Sequence, residues 1–391
     1  MQAITLKKNE DKRVRNGHPW IFSNEIASMS LPPEAGMACQ VFDHQGKTVG
    51  YGYLNHQSLI AVRMVATSPV EIDSVDFFVE RLTVAHRERM ARFPGIETYR
   101  LIYGESDHLP GLVVDVYGRY VSLQLLTAGM DRRRDLIVAA LKVVLNPVGI
   151  IARNDVAVRR MEGLEEEVVV LDGTIPPTII MEENGLRFEV DLTHGQKTGG
   201  FLDQKDNHKL LKPLSPGAEV LDCFCYSGSW GVHAAAYGAK EVLCLDISER
   251  AISHAGRNAA LNGVEDRMAF EAVDVFERLR SLEAEGRRFD LIILDPPAFV
   301  KNKRQLAEAT KGYLTINRRA LSILKPGGYL ITCSCSYHMG REAFRDLLAQ
   351  AARLARREVC LEGSYGQASD HPVLITVPES DYLKCLVLRA R

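Results

Sequence analysis

The pattern of hydrophobic and polar positions changes twice along the chain, which divides the sequence into three parts. In residues 1–70, short apolar runs such as 48–53 and 58–65 alternate with turns rich in glycine and proline. Short runs bounded by such turns are typical of strands in a small β-rich domain. A basic and aromatic segment, 7–22, is expected to be a solvated loop that leads into a strand burying Trp20 and Phe22.

Residues 71–185 combine helical and strand periodicities. The pattern predicts helices over 75–93 and 132–145, a hairpin formed by 112–117 and 120–126, and a strand over 149–153. This second part is therefore expected to be a mixed α+β domain. Because it contains no evident catalytic constellation, it is interpreted as a spacer or platform.

Residues 186–391 alternate between strand and helix patterns, as in a doubly wound α/β fold. The predicted strands are 219–223, 241–246, 268–273, 289–294 and 328–332, with helices that include 248–261 and 305–324. Nearly continuous apolar strands separated by helices indicate a parallel sheet that is covered on both faces. Two more strands, 369–378 and 382–388, are expected to close this sheet.

Composition narrows the class of protein. The chain has 391 residues, of which 46% are hydrophobic and 25% charged, and its net charge is −2. These values are typical of a soluble globular protein and argue against histone-like binding of nucleic acid through a global positive charge. We find no secretory signal and no apolar stretch of membrane-spanning length, so a cytoplasmic location is expected.

The eight cysteines are expected to be mostly reduced thiols in that location. A metal site built from Cys223, Cys225, Cys333 and Cys335 is not expected, because their spacing is not that of a zinc site. In the usual strand order of this fold, the fourth strand also lies between the first and the fifth. Those two strands, which carry the two cysteine pairs, are therefore about 10 Å apart.

Acidic residues end four successive predicted strands, namely Asp222, Asp246, Asp274 and Asp295. Ligands of open α/β sheets bind at these carboxyl ends, and an acid about 20 residues after the first strand reaches ribose hydroxyls. The loop after Asp222 has only Gly228 and Gly231, which is a poor cradle for a pyrophosphate. A cofactor without phosphates needs only carboxylates, so the pattern favours S-adenosylmethionine (SAM) over NAD.

The stretch Asp295-Pro296-Pro297-Ala298-Phe299 is a second chemical signal. Two prolines without N–H groups end the strand and leave carbonyl oxygens available. A carboxylate, such carbonyls and the ring of Phe299 together can hold a planar base by its edge and its face.

These motifs resemble those of class I methyltransferases that modify ribosomal RNA. The whole chain resembles the large-subunit rRNA cytosine-C5 methyltransferase family (the RlmI type), in the stretches 17–22, 197–205, 222–228, 295–299 and 334–336. The resemblance implies a PUA RNA-binding domain over 1–70, a central α+β domain over 71–185 and a Rossmann-like methyltransferase domain over 186–391. It also implies that Phe201, Asp203 and Gln204 lie near the cofactor.

The motifs and the resemblance together define the expected site, without a metal ion. The residues expected to bind SAM are Phe201, Asp203, Gln204, Asp222, Phe224, Tyr226, Ser227, Gly228, Asp246, Ile247, Asp274, Val275 and Asp295. The residues expected to bind the substrate base are Pro296, Pro297, Phe299 and Lys301. The expected partner is 23S ribosomal RNA, either naked or in an early large-subunit particle, with no membrane; a homodimer stays open.

Methylation at C5 of cytosine requires a nucleophile, because C5 becomes reactive only after a thiolate adds to C6. The resemblance assigns this role to Cys335 in Ser334-Cys335-Ser336, with Asp295 as the second catalytic residue. Cys333 is expected to pack in the core, as buried cysteines usually do.

Four alternatives remain open at this point. A guanine-N7 rRNA methyltransferase would share the SAM motifs but needs no cysteine nucleophile, whereas a uracil-C5 enzyme also uses a thiolate. A noncatalytic RNA-binding ribosome assembly factor would need neither the SAM motifs nor a cysteine nucleophile. The four acidic strand ends argue against this alternative. A small-molecule methyltransferase is disfavoured by the N-terminal domain.

Overall fold

The computed structural model describes residues 1–30, 34–299 and 306–391. The strands and helices up to residue 190 are β1 (Gln2–Leu6), α1 (Lys12–Arg15), β2 (Trp20–Phe22), β3 (Ile26–Met29), β4 (Met37–Phe42), β5 (Thr48–Leu54), β6 (Ile60–Ala66), α2 (Val75–Arg92), β7 (Thr98–Tyr103), β8 (Leu112–Tyr117), β9 (Tyr120–Leu125), α3 (Ala128–Asp131), α4 (Arg134–Leu145), β10 (Gly149–Arg153), β11 (Val168–Gly173), β12 (Ile179–Glu183) and β13 (Leu186–Val190). Those that follow are α5 (Lys205–His208), β14 (Glu219–Cys223), α6 (Ser229–Ala236), β15 (Glu241–Asp246), α7 (Glu249–Leu261), β16 (Met268–Ala272), α8 (Val275–Ala284), β17 (Phe289–Leu294), α9 (Leu306–Ile323), β18 (Leu324–Ser334), α10 (Arg341–Leu354), β19 (Val359–Tyr365) and β20 (Lys384–Ala390).

The chain forms two compact units, and each is discontinuous in sequence. The first consists of Met1–Met181, Val190–Leu202 and Ser369–Ser380, and the second of Glu182–Glu189, Asp203–Ala368 and Asp381–Arg391. The boundaries of the three consecutive domains expected from the sequence remain a prediction.

The first unit contains two sheets. One has the strand order β2-β6-β5-β4-β1-β3, and the other has the order β11-β10-β9-β8-β7. The strand expected to bury Trp20 and Phe22 is β2, but it buries Ile21 instead, and the two aromatic rings are half-buried. The expectation was wrong because alternate residues of a strand face opposite sides. Trp20 Nε1 donates to Glu105 Oε1 at 2.8 Å.

The segment 369–378 was expected to be a strand of the C-terminal sheet, and this prediction was wrong. The segment has no strand and belongs to the first unit. Asp370 Oδ2 accepts a hydrogen bond from the backbone N–H of Arg100 at 2.8 Å, and Asp370 Oδ1 lies 2.8 Å from Nδ1 of the buried His371. Polar anchoring to β7 therefore replaces the sheet pairing that its apolar residues suggested.

The second unit contains a seven-stranded sheet with the order β16-β15-β14-β17-β18-β20-β19. β14 to β18 pair in parallel, and β20 is antiparallel to both β18 and β19. The apolar cores on the two faces are built around α8, α9 and α10 on one side and α6 on the other. The predicted α/β fold class is thus confirmed, and β17 separates β14 from β18 as assumed. Within the described ranges, no helix has the length and apolar character needed to cross a membrane.

Candidate functional site

The carboxyl ends of β14, β15, β17 and β18 meet at one edge of the parallel sheet. Cys223 at the end of β14 is in register with Leu245 of β15 and with Leu294 of β17. Leu294 is in turn in register with Thr332 of β18. Because neighbouring strands lie about 4.8 Å apart, the segments that follow them form one continuous surface.

The loop after β14 turns back sharply towards β15. Phe224, Tyr226 and Gly228 all have left-handed backbone conformations, with φ of 63°, 48° and 79°. The backbone N–H of Tyr226 donates to Asp246 Oδ2 at 3.0 Å, and that of Ser248 donates to Oδ1 at 2.9 Å. Both oxygens of Asp246 are therefore oriented by backbone donors, and each has lone-pair capacity left for a hydroxyl group.

Gly228 is the residue at which the loop enters α6. A Cβ atom there would lie 2.8 Å from Cβ of Ala255 on α7, and its φ of +79° is strained for residues with side chains. The carbonyl oxygen of the preceding Ser227 accepts from Asn258 Nδ2 at 2.9 Å. The loop is thus packed directly against α7, which holds its shape.

Asp222 is placed beneath α6 and has no exposed surface. Its Oδ2 accepts from the backbone N–H of Gly231 at 2.9 Å, and the thiols of Cys225 and Cys244 lie within 4.8 Å of it. Burial raises the pKa of Asp222 to about 8. The hydrogen bond to Cys244, together with burial, raises the pKa of Cys225 well above its usual value. Both groups are therefore protonated near neutral pH, and each would have to release its proton to bind a metal ion.

The third strand end provides a helix cap. Asp274 is exposed, and its Oδ1 accepts from the backbone N–H of Glu277 in the first turn of α8 at 3.1 Å. The side chain of Val275 is buried in the core with Leu279. Of these two residues, the structure leaves Asp274 accessible and places Val275 inside.

Asp295, which directly follows β17, accepts two side-chain hydrogen bonds on one oxygen. Gln204 Nε2 donates to its Oδ2 at 3.0 Å, and Trp230 Nε1 donates to the same atom at 3.1 Å. Asn207 Nδ2 donates to Gln204 Oε1 at 2.6 Å, so the Gln204 amide nitrogen has to face Asp295. The carboxylate is therefore held in one orientation by donors from α6 and the segment before α5.

A buried cluster supports Trp230 from behind. The ring of His208 lies edge-on to Trp230, 4.6 Å between centroids, and its Nδ1 is 2.5 Å from Glu183 Oε1. Although burial alone would raise it, the neighbouring His208 holds the pKa of Glu183 below its usual range. His233 stacks on His208, and burial lowers the pKa of His233 to about 4.

The ligand-capable atoms of Glu183, His208 and His233 lie within 4.8 Å of one another, a spacing that a metal ion could also use. Two of these atoms, His208 Nδ1 and Glu183 Oε1, are already hydrogen-bonded to each other at 2.5 Å. We therefore interpret the cluster as a structural support.

The residues after Asp295 form an aromatic surface. The half-buried ring of Phe299 lies 4.7 Å from that of Tyr313, and it also contacts the rings of Phe224 and Phe276 at 6.3 and 6.0 Å. Pro296 is buried and Pro297 is exposed. Lys301, also expected to bind the base, lies outside the described residues.

Phe201 and Asp203 lie in different units. In the first unit, the Lys197 ammonium lies 4.3 Å from the centre of the Phe201 ring. In the second, Asp203 accepts a hydrogen bond from the Tyr382 hydroxyl, and its backbone carbonyl accepts from the Ala368 N–H at 2.7 Å. Asp203 is thereby tied to the segment that leads into β20.

Cys335 directly follows β18 and is partly exposed, whereas Cys333 is fully buried in the core opposite Cys385. The predicted packing role of Cys333 is confirmed, and burial raises the pKa of its thiol well above the usual value. The Ser336 hydroxyl lies 3.1 Å from that of Tyr313, and the Ser336 carbonyl oxygen accepts from Lys384 Nζ at 2.7 Å. Cys335 is therefore presented at the sheet edge, one strand from Asp295.

Comparisons with known proteins agree with this architecture. A PUA-like domain family matches residues 4–67, and an S-adenosylmethionine-dependent methyltransferase family matches residues 164–370. A protein from Aeromonas hydrophila called ribosomal RNA large subunit methyltransferase I is 41% identical over 100% of this chain and 99% of its own length. Its namesake from Photobacterium profundum is 40% identical over 98% of both chains.

The chain belongs to the ribosomal RNA large subunit methyltransferase I family. Two solved structures share the fold over 100% of both chains. One, described as a SAM-dependent methyltransferase from Streptococcus mutans, has a TM-score of 0.85 at 22% identity. The other, a methyltransferase in complex with SAH, has a TM-score of 0.87 at 23% identity.

SAM is the cofactor of this methyltransferase family, and the donor set around Asp246 fits it. Two oriented carboxylate oxygens suit ribose hydroxyls, and the side chain of Ile247, which is 72% exposed, offers an apolar surface for a purine ring. The loop needs no phosphate cradle, in agreement with the few glycines of its sequence.

The sequence predicted no role for several residues that the structure places in the region of Asp295 and Cys335. They are Asn207, Trp230, Tyr313, Tyr382 and Lys384. The position of Trp230, early in the helix that follows the cofactor loop, was an available signal. Lys384 has no such signal, because only the antiparallel pairing of β18 and β20 brings it to the site.

Proposed function

We propose that this protein is a SAM-dependent methyltransferase that forms 5-methylcytidine in 23S ribosomal RNA, with Cys335 as the covalent nucleophile. The ribosomal substrate is supported by the names of relatives that are 40–41% identical over nearly the whole chain. The PUA-like domain over residues 4–67 supports binding of RNA.

The single observation that supports C5 chemistry most strongly is the position of Cys335. A partly exposed thiol follows β18, and β18 lies next to the strand that ends at Asp295. An adduct at C6 needs a nucleophile above the base while the base edge is held by a polar group. Buried cysteines such as Cys333 could not reach a base.

For the cofactor, we propose that Asp246 binds the ribose and Ile247 packs on the adenine. The loop of Phe224, Tyr226, Ser227 and Gly228 surrounds the methionine part, and Asp222 holds that loop through its bond to Gly231. Asp203, Gln204, Asp274 and Val275 complete the proposed site, Val275 through its backbone. When bound, SAM supplies an electrophilic methyl group.

For the base, we propose that the flipped cytosine lies against Pro296, Pro297 and Phe299. Asp295, protonated, donates to N3, and its orientation is set by Gln204 and Trp230. Lys301 is retained as a proposed phosphate or base contact.

The proposed reaction uses these residues in sequence. The Cys335 thiolate forms a bond to C6, the C5=C6 π electrons move to form a C4=C5 double bond, and the C4=N3 π electrons take the proton of Asp295 at N3. C5 then uses the C4=C5 electrons to form its bond to the methyl group that SAM would supply, and S-adenosylhomocysteine would be the leaving group. After a base removes the C5 proton, the electrons return, the C6–S bond breaks, and N3 gives its proton back to Asp295.

The test is a comparison of Cys335→Ala with Cys360→Ala, since both thiols are partly exposed but Cys360 lies on β19. Each variant is expressed in cells that lack the native protein, and 23S rRNA is mapped by mass spectrometry. We expect one 5-methylcytidine to be lost with Cys335→Ala and kept with Cys360→Ala. Full methylation by Cys335→Ala would contradict the proposal.

A second measurement traps the covalent step. RNA that carries 5-fluorocytidine should form a stable adduct with the native protein, because the fluorine cannot leave as a proton does. The adduct should be absent with Cys335→Ala. A methyl group found on guanine N7 or on uracil C5 would instead support one of the alternative rRNA methyltransferases.

A further inference from the structure

Lys384 is a buried lysine close to the proposed nucleophile. It begins β20, where it is in register with Ser334, the last residue of β18, and the next residue is Cys335. Only 3% of Lys384 is exposed. Its side chain therefore ends at the same sheet edge as the thiol and not in solvent.

The ammonium group is held by two backbone carbonyls. Lys384 Nζ donates to the carbonyl oxygens of Ser336 and Tyr382, both at 2.7 Å. The first of these belongs to the residue after Cys335, so the hydrogen bond positions the charge beside the peptide that carries the thiol. A neutral carbonyl satisfies the hydrogen bond but does not neutralise the charge, and a buried charge needs an opposite partner.

Among the described residues, the titratable and charged groups that face Lys384 are Cys335, Arg341 on α10 and Asp381 before β20. Asp381 is already engaged by Arg341, whose Nη2 and Nε donate to its two oxygens at 2.7 and 3.2 Å. Arg341 itself carries the same charge as Lys384. The Cys335 thiol is consequently the facing group whose ionisation would balance the lysine.

We propose that the Lys384 ammonium stabilises the thiolate form of Cys335, which makes Lys384 a positioning residue for the nucleophile. This inference rests on the proposed role of Cys335 in the reaction. The thiol loses its proton to solvent, Lys384 keeps its own, and the resulting ion pair is ready to add to C6. Thiolates, and not thiols, are the nucleophilic species.

The support that Lys384 gives to the Cys335 thiolate depends on pH in a definite direction. Burial lowers the pKa of Lys384 to about 8, and the charge of Cys335 opposes that shift. Below this pH the ammonium is present and supports the thiolate. As the pH rises through about 8, the lysine loses its proton and the support disappears.

The test measures thiol reactivity in the full-length protein and does not depend on methyl transfer. Iodoacetamide alkylation rates are followed from about pH 6 to about pH 10, a range that brackets the pKa of an ordinary thiol. Peptides are then quantified by tandem mass spectrometry, which separates Cys335 from Cys333. Lys384→Met removes the charge, Lys384→Arg retains a cation, and Lys325→Met is the control at the far end of β18, where Lys325 pairs with Glu219 and Asp290.

We expect the alkylation midpoint of Cys335 to be at least about one pH unit higher in Lys384→Met than in the native protein. Lys384→Arg should restore part of the shift, and Lys325→Met should show none. In methylation assays Lys384→Met should lower kcat while KM for RNA stays unchanged. Equal profiles in native protein and in Lys384→Met that still binds SAM would overturn the proposal.

If Lys384→Met does not fold, the alkylation profile of the native protein alone tests the proposal. A native Cys335 midpoint at or above the ordinary thiol value of about 8.5 would refute thiolate stabilisation. Failure of the proposed function looks different, since Cys335→Ala would then still form 5-methylcytidine whatever the alkylation profile is.

Discussion

At the scale of single residues, the proposed chemistry depends on how Asp295 is oriented. Its motif was recognisable in the sequence, but the two donors on its Oδ2 come from Gln204 and Trp230. Hydrogen bonds to a neutral carboxyl group, the form of Asp295 in the proposed reaction, contribute about 0.5–1.5 kcal/mol each. Orientation of this carboxylate should therefore have a measurable kinetic effect.

We expect Trp230→Phe to lower kcat about 2- to 10-fold, because it removes one such hydrogen bond from Asp295. The measurement is methylation of 23S rRNA with labelled SAM, with SAM affinity determined by calorimetry and expected to be unchanged. Tyr237→Phe, which removes a hydroxyl at the other end of α6, is the control. A Trp230→Phe protein with native kcat would show that Gln204 alone orients the carboxylate.

At the scale of elements, the sequence predicted strands better than it predicted their partners. The predicted parallel strands of the second unit agree with β14 to β18 to within a few residues, because long apolar runs between helices are a strong signal. The segment Ser369–Ser380 was misassigned, since Val373, Leu374 and Ile375 have strand character but the anchoring of Asp370 decides the conformation. Local propensity does not include such long-range contacts.

The loop between β14 and α6 provides a prediction at this scale. Gly228→Ala should reduce SAM affinity by at least about tenfold, because a new Cβ would lie 2.8 Å from Ala255 and force the loop to move. Gly263→Ala is a matched control, with φ of +65° and nothing within 4 Å. It should cost about 1 kcal/mol of stability through backbone strain and leave SAM affinity unchanged, as measured by calorimetry.

If both variants lost affinity equally, backbone strain and not the contact with α7 would be the cause. The comparison therefore separates two effects that any glycine substitution combines.

At the scale of the whole molecule, the chain passes more than once between its two units. Residues 369–380 lie near the end of the sequence but belong to the first unit, and 381–391 return to the second. Sequence periodicity assigns elements in order along the chain, so it could not anticipate this exchange.

Asp370→Ala should therefore destabilise the first unit and not the second. It removes the acceptor for the Arg100 N–H at 2.8 Å and leaves a buried donor unsatisfied, which costs about 1–3 kcal/mol. Hydrogen exchange should become faster in β7 and stay unchanged in β14 and β17. Asp381→Ala, which breaks the pair with Arg341, should show the reverse distribution.

The sequence by itself determined the α/β class, the SAM cofactor and the family, because these depend on local periodicity and on motifs a few residues long. The tertiary structure alone decided which side chains act on those motifs. Trp230 reaches Asp295 through the packing of α6, and Lys384 reaches the carbonyl oxygen of Ser336, the residue after Cys335, through the register of β18 with β20. Such contacts join residues far apart in the chain, and only the packing and strand register of the folded unit bring their atoms within hydrogen-bonding distance.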